Sequence, residues 1–193
     1  MARADIDKGV IIRKAAELAN EIGLEKVTLK LLASNLNIKP PSLYNHIKGL
    51  EDLQKEVMLY GWRQLEERVI EAAICITGYD ALESMGRTFY KYAIENPGIF
   101  NAMLWYNKFQ SEEMQDATKR IFSVIYKIFS TLNISQENCD HLIRTYRAFL
   151  EGYVLLVNNE AFGHPLPIED SFEISLQVLI AGTKTFERKG NNS

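Results

Sequence analysis

The sequence is poor in the residues that several protein classes require. It has two cysteines, three histidines, five prolines and eleven glycines among 193 residues. Cys75 and Cys139 cannot by themselves build a disulfide framework or close a zinc site, so neither a metal nor another cofactor is expected. His46, His141 and His164 are dispersed along the chain. There is no glycine-rich phosphate loop, no HExxH, no CxxC and no nucleophile elbow, so nothing in the pattern points to an enzyme. No apolar run approaches the ~18 residues needed to cross a bilayer. Charges interrupt the opening stretch MARADIDKGVIIRK, where the apolar segment of a leader would lie. These absences lead to the expectation of a reduced, cytoplasmic protein without enzymatic activity and without a membrane partner.

What is present is ordinary in bulk and uneven in detail. Apolar residues make up 47% and charged residues 24%, which fits a folded globular chain and excludes overall disorder. The net charge of −3 hides a polarity along the chain. Residues 1–50 carry eight Lys/Arg against five acids, for a net +3, while the other 143 carry 14 basic and 20 acidic groups, for a net −6. A cationic head on an anionic body can approach phosphate with one end only.

Apolar residues recur at helical spacing almost everywhere, and no strand pair, repeat or low-complexity tract appears. The spacing predicts helices over about 6–22, 28–36, 40–47, 51–76, 80–95, 97–106, 111–132, 135–159 and 168–188. Gly23, Asn96-Pro97 and the loop 163–165 supply the breaks. The reading is an all-α chain of about nine helices, with an N-terminal domain over 1–50 and a larger helical domain over 51–193.

The most informative stretch runs from Thr28 to Leu53, TLKLLASNLNIKPPSLYNHIKGLEDL. Two short helices joined by a tight turn make a helix-turn-helix. Leu36, Ile38 and Leu43 fit the wedge between them, and Leu43 and Ile47 would point inward. Ser42, Asn45 and His46 would remain outside, on a helix of a size that enters the major groove of duplex DNA. Taken singly, each residue also has a plainer use. Tyr44 could be half-buried packing, Pro40-Pro41 a helix start, and Lys30, Lys39 and Lys48 solvated charges.

The joint pattern GLEKVTLKLLASNLNIKPPSLYNHIKGLEDL resembles the DNA-binding domain of the tetracycline-repressor (TetR) family. The likeness covers about residues 8–58. It lies in Ala-Asn-Glu-Ile-Gly, the Val-Thr entry, the Leu-Ala pair and Leu-Tyr-x-His-Ile. It implies that Thr28 meets phosphate, that Lys30 reaches a base edge or the backbone, and that Pro41 and Ser42 touch bases. It further implies that Tyr44 and His46 grip phosphate. Lys39 and Lys48 add cationic attraction, and Asn45 has the paired donor and acceptor that read adenine. Leu50 stands where the family often has a phosphate-contacting Lys. The later segment EGYVLLVNNEAFGHPLPIEDSF resembles the end of a common regulatory-domain class through Gly152, Phe162, Gly163 and Pro165, with Arg147 and Glu151 where Trp and His are usual.

The resemblance implies a ligand-responsive transcriptional regulator, a repressor acting as a homodimer on a near-palindromic DNA operator and released by a small apolar or amphipathic effector. Aromatic residues concentrate after position 88. Phe100, Trp105, Phe122, Tyr126, Tyr146, Phe149 and Tyr153 are the candidates to line an effector pocket. The last two long helices carry apolar stripes, Leu142, Tyr146, Phe149, Tyr153 and Leu156 on one, and Phe172, Leu176, Leu179, Ile180 and Thr183 on the other. Either these stripes pair between two subunits or they face their own core. The competing functional reading is an all-α small-molecule carrier whose first fifty residues dock onto another protein.

Overall fold

Helix ends in the computed structural model, which describes residues 6–104 and 111–188, follow side-chain caps. Asp7 accepts from the Val10 N–H at 2.7 Å and opens α1 (Lys8–Ile22), which stops at Gly23 with φ 84°. Only a residue without Cβ adopts that angle freely. Thr28 caps α2 (Leu29–Asn35) through the Leu31 N–H at 3.1 Å. Ser111 and Ser135 open α6 (Glu112–Ser130) and α7 (Gln136–Asn158) in the same way. Each such cap satisfies a first-turn amide that has no partner within its helix. The other helices are α3 (Leu50–Ala72), α4 (Gly78–Glu95), α5 (Pro97–Met103) and α8 (Ile168–Lys184). Two short 3₁₀ segments, Leu24–Lys26 and Pro40–Asn45, complete the helical elements among the described residues. Extended pairing there is limited to one isolated bridge, Ile134 with Glu187.

The chain forms two compact units. The first comprises Met1–Gln64 and Asn96–Thr118, and its core is built from α1, α2, the turn after it, α3 and α5. Ile11, Ala15, Leu32, Ala33, Leu43, Ile47 and Leu53 are buried there. Fully burying a side chain such as Leu43 contributes about 1.5–3 kcal/mol. Lys8 pairs with Glu56 at 2.7 Å and Lys55 with Glu113 at 2.9 Å across its surface.

The second unit comprises Leu65–Glu95 and Lys119–Ser193. Within it α4 packs on α7 and α8, and α7 on α8. Leu82, Met85, Phe129, Tyr146, Leu150, Val154, Phe172, Leu176 and Ile180 are buried. Polar links tie the same helices at their edges. Arg87 binds Glu173 through two parallel hydrogen bonds of 2.9 and 2.8 Å, and Gln177 donates to Glu83 at 2.7 Å.

Candidate nucleic-acid interface

The turn between the two short N-terminal helices is set by one residue in the left-handed region. Asn37 has φ 53°, and the chain reverses around it. Its N–H donates to the Ser34 carbonyl at 3.1 Å, and the Ile38 N–H donates to the Ala33 carbonyl at 3.0 Å. This pair of bonds is the Schellman ending of a helix, with asparagine in place of the usual glycine. Asparagine tolerates the conformation because its short amide can bond locally.

After that turn Lys39 leads into Pro40–Asn45, which winds as 3₁₀ helix rather than α-helix. Proline at the first two positions fixes φ and removes two N–H donors, and six residues allow only two tight turns. Leu43 and Ile47 are 0% and 1% exposed, and so anchor the segment in the core. Everything between and around them turns outward. Pro41, Tyr44, Asn45 and Lys48 are exposed, Ser42 and His46 half-buried, and Tyr44 keeps 59% of its surface open. Thr28, Lys30 and Lys39 are exposed as well. The lysines Lys30, Lys39 and Lys48 form no ion pair among the described residues. Asp52, in the first turn of α3, accepts from the Lys48 backbone N–H at 2.9 Å and fixes the start of that helix. Leu50 is 38% exposed at the same corner.

This arrangement is a short rigid ridge with apolar roots and a polar crest, flanked by unpaired cations. Chemically it can donate hydrogen bonds from hydroxyl, amide and imidazole groups and attract phosphate from several sides. The described residues hold no cluster of His, Cys, Asp and Glu suited to a metal ion, and no helix long and apolar enough to cross a membrane.

A family model described as "Tetracyclin repressor-like, C-terminal domain" matches residues 82–179. The chain belongs to the TetR family. As a member it is a DNA-binding transcriptional regulator. It is 29% identical over 181 residues to YobS of Bacillus subtilis (strain 168), described as an uncharacterized HTH-type transcriptional regulator, with 93% of this chain and 94% of that one covered. Over 57 residues it is 39% identical to the class G tetracycline repressor of Vibrio anguillarum, which covers 28% of this chain and 27% of that one. The fold is similar to the crystal structure of a TetR variant from Acinetobacter baumannii AYE in complex with minocycline. That likeness has a TM-score of 0.70 at 18% identity and covers 96% of this chain and 100% of that chain.

The residues expected to meet an effector in this TetR-family chain fall in different places. Phe149 and Tyr153 come together on α7, ring centroids 5.7 Å apart, and Phe172 of α8 stacks on Phe149 at 5.8 Å. Tyr90 of α4 stacks on Phe172 at 3.9 Å, and Phe162 lies 4.9 Å from Tyr153. Tyr146 sits apart from that cluster, edge-on to Phe129 at 5.6 Å, with its hydroxyl 3.2 Å from Thr183. Phe122 lies beneath the Arg147 guanidinium at 5.9 Å, and that guanidinium also binds Glu151 at 2.7 Å. Tyr126 is exposed and hydrogen-bonded to Asp140, a contact that raises its pKa. Phe100 is buried on α5, in the first unit. Trp105 lies outside the described residues.

Tyr90 was one of many aromatics in sequence, yet its hydroxyl is buried without a hydrogen-bond partner among the described residues. Burial raises its pKa. The available signal was its position four residues after Gly86, where α4 lies close to Leu176 of α8.

Of the two stripes on the last helices, most members face their own core. Leu142, Tyr146, Phe172, Leu176, Ile180 and Thr183 are buried within the second unit. The open faces are different ones. On α8 Ile174 and Val178, four residues apart on one face, are 66% and 67% exposed, and on α7 Leu156 is 45% exposed.

Proposed function

We propose that this regulator is a repressor that binds a near-palindromic operator as a homodimer and is released by a small apolar or amphipathic effector. The observation that carries the DNA-binding half is the contrast within residues 40–47. Leu43 and Ile47 lock the segment to the core while Pro41, Tyr44 and Asn45 stand free. In this reading Pro41, Ser42 and Asn45 face base edges, while Thr28, Tyr44, His46 and the three unpaired lysines hold phosphates and fix register.

The open apolar faces of α7 and α8 support pairing with a second copy. Two helices from each subunit make a four-helix interface with twofold symmetry. Such symmetry sets two recognition segments about 34–36 Å apart on one side of the duplex. A chain of the same fold holds minocycline, which supports a small-molecule effector. An effector shifts the regulator only by binding one of its two states more tightly than the other.

The test is a gel-shift titration with DNA from upstream of its own gene. Sequence-selective, salt-sensitive retardation is expected. Absence of retardation on every fragment refutes the repressor reading.

A further inference from the structure

Large aliphatic side chains are left open where α3 ends. Ile70, Ile74 and Ile76 are 43%, 62% and 37% exposed. Their openness is not scattered. With Val124 and Ile128 of α6 they line one groove of about 430 Å³ in the second unit. That volume lies within the ~300–1,000 Å³ range of small-molecule sites. Cys75, with φ 63°, turns the chain so that Ile76 joins Ile70 and Ile74 along the same wall.

The polar part of the groove is equally specific. Lys127 is its one charged lining residue, and no acidic side chain among the described residues lines it. The Lys127 ammonium forms no ion pair among those residues. Of the two threonines on the wall, Thr77 and Thr131, the second is already satisfied. The Thr131 hydroxyl donates to the Ile128 carbonyl at 2.7 Å and accepts from the Gly78 N–H at 2.9 Å. An aliphatic trough with one uncompensated cation matches a molecule of the opposite build, an apolar chain ending in an anion. A cationic amphiphile is repelled there, and a neutral one leaves the ammonium unused.

We infer that this groove binds an amphipathic monocarboxylate, its chain along the isoleucines and its carboxylate at Lys127. The site is separate from the aromatic cluster of Tyr90, Phe149, Tyr153 and Phe172. It rests on the effector reading only for its consequence, release of DNA, because binding itself is measured without DNA.

The probe is decanoate, kept below its micellar concentration and titrated calorimetrically into the full-length protein beside decanol and hexanoate. Decanoate binds about three- to fivefold tighter than decanol, since only decanoate meets the solvent-exposed Lys127 ammonium. Hexanoate binds more than about tenfold weaker, since four methylenes are lost from the buried chain. Lys127→Met, which keeps the aliphatic stem, brings decanoate and decanol to similar affinity. Ile74→Asp, at a position already exposed, abolishes decanoate binding with the melting temperature unchanged. Equal binding of decanoate and decanol by the unaltered protein overturns the inference, as does a Lys127→Met protein that keeps the preference. A protein that ignores all three probes overturns it too, and loss of self-association in Ile74→Asp then assigns the groove to a second copy. None of these failures touches the gel-shift result, which tests the repressor reading independently.

Discussion

Gly98, in the first turn of α5, abuts the carbonyl oxygen of Ala19 at the end of α1, and a Cβ at Gly98 would also come within 2.8 Å of the Asn20 nitrogen. Asn20 fastens the same junction. Its side-chain oxygen accepts from the Ile99 N–H at 3.0 Å and its amide donates to Asn96 at 3.1 Å. Backbone atoms cannot move aside as a flexible side chain would. Gly98→Ala therefore lowers stability by about 3 kcal/mol, the upper part of the overpacking range. Urea denaturation followed by circular dichroism measures it.

The crest and the root of the recognition segment separate cleanly. Tyr44→Ala leaves the melting temperature unchanged and weakens operator binding about tenfold or more, as expected for losing a hydrogen bond to a charged phosphate. Leu43→Ala costs about 2–5 kcal/mol of stability through the cavity it opens. Lys48→Met lowers the slope of log affinity against log salt by about 1. Fluorescence anisotropy at several salt concentrations reads both effects on DNA.

Glu160 ends α7 in the left-handed region, φ 51°, where its N–H donates to Val157 and the Ala161 N–H to Leu156. Glutamate gains nothing from that geometry, and glycine adopts it without Cβ strain. Glu160→Gly is expected to stabilise the protein by about 0.5–1 kcal/mol in thermal melts.

Tyr146 gives the protein an alkaline limit. Burial pushes its pKa up to about 12, and the hydrogen bond shared with Thr183 opposes that shift. Its folded pKa exceeds the unfolded value of 10.0, so its contribution is complete below pH 10 and is lost as pH rises toward about 12. Two units correspond to about 2–3 kcal/mol. Tyr146→Phe removes that part of the pH dependence, so its stability falls less steeply over this window than that of the unaltered protein.

Ile174→Asp and Val178→Asp place a carboxylate on the open face of α8 without disturbing the core. Sedimentation is expected to show a monomer for either substitution, with retardation of the operator sharply reduced. A dimer that survives both substitutions moves the subunit contact to another surface.

Local chemistry made much of this legible. Thr28, Ser111 and Ser135 announce their helices because an N-cap acts within three residues. The helix-turn-helix was legible for a related reason, since its wedge residues and turn lie within about twenty-five positions. What failed to show was whatever depends on a distant neighbour. The pattern carried the helix that is α3 on to Ile76, but it stops at Ala72 and Cys75 turns the chain. Ile74 and Ile76 therefore line a groove and not a core. The stripe through Tyr146 looked equally suited to either of two partners, because periodicity identifies an apolar face without saying what covers it. The same limit applies to the aromatics, where Phe149 and Tyr153 meet but Tyr126 points to water.

The winding of residues 40–45 has a further consequence for sequence reading. At three residues per turn, Pro41 and Tyr44 project along one line about 6 Å apart. Rewound to 3.6 residues per turn, the same six residues would swing Asn45 about 80° around the axis relative to Pro41. The tight winding thus fixes the angle between Pro41 and Asn45, and a variant that rewinds the segment would bring a different pair of side chains onto one line.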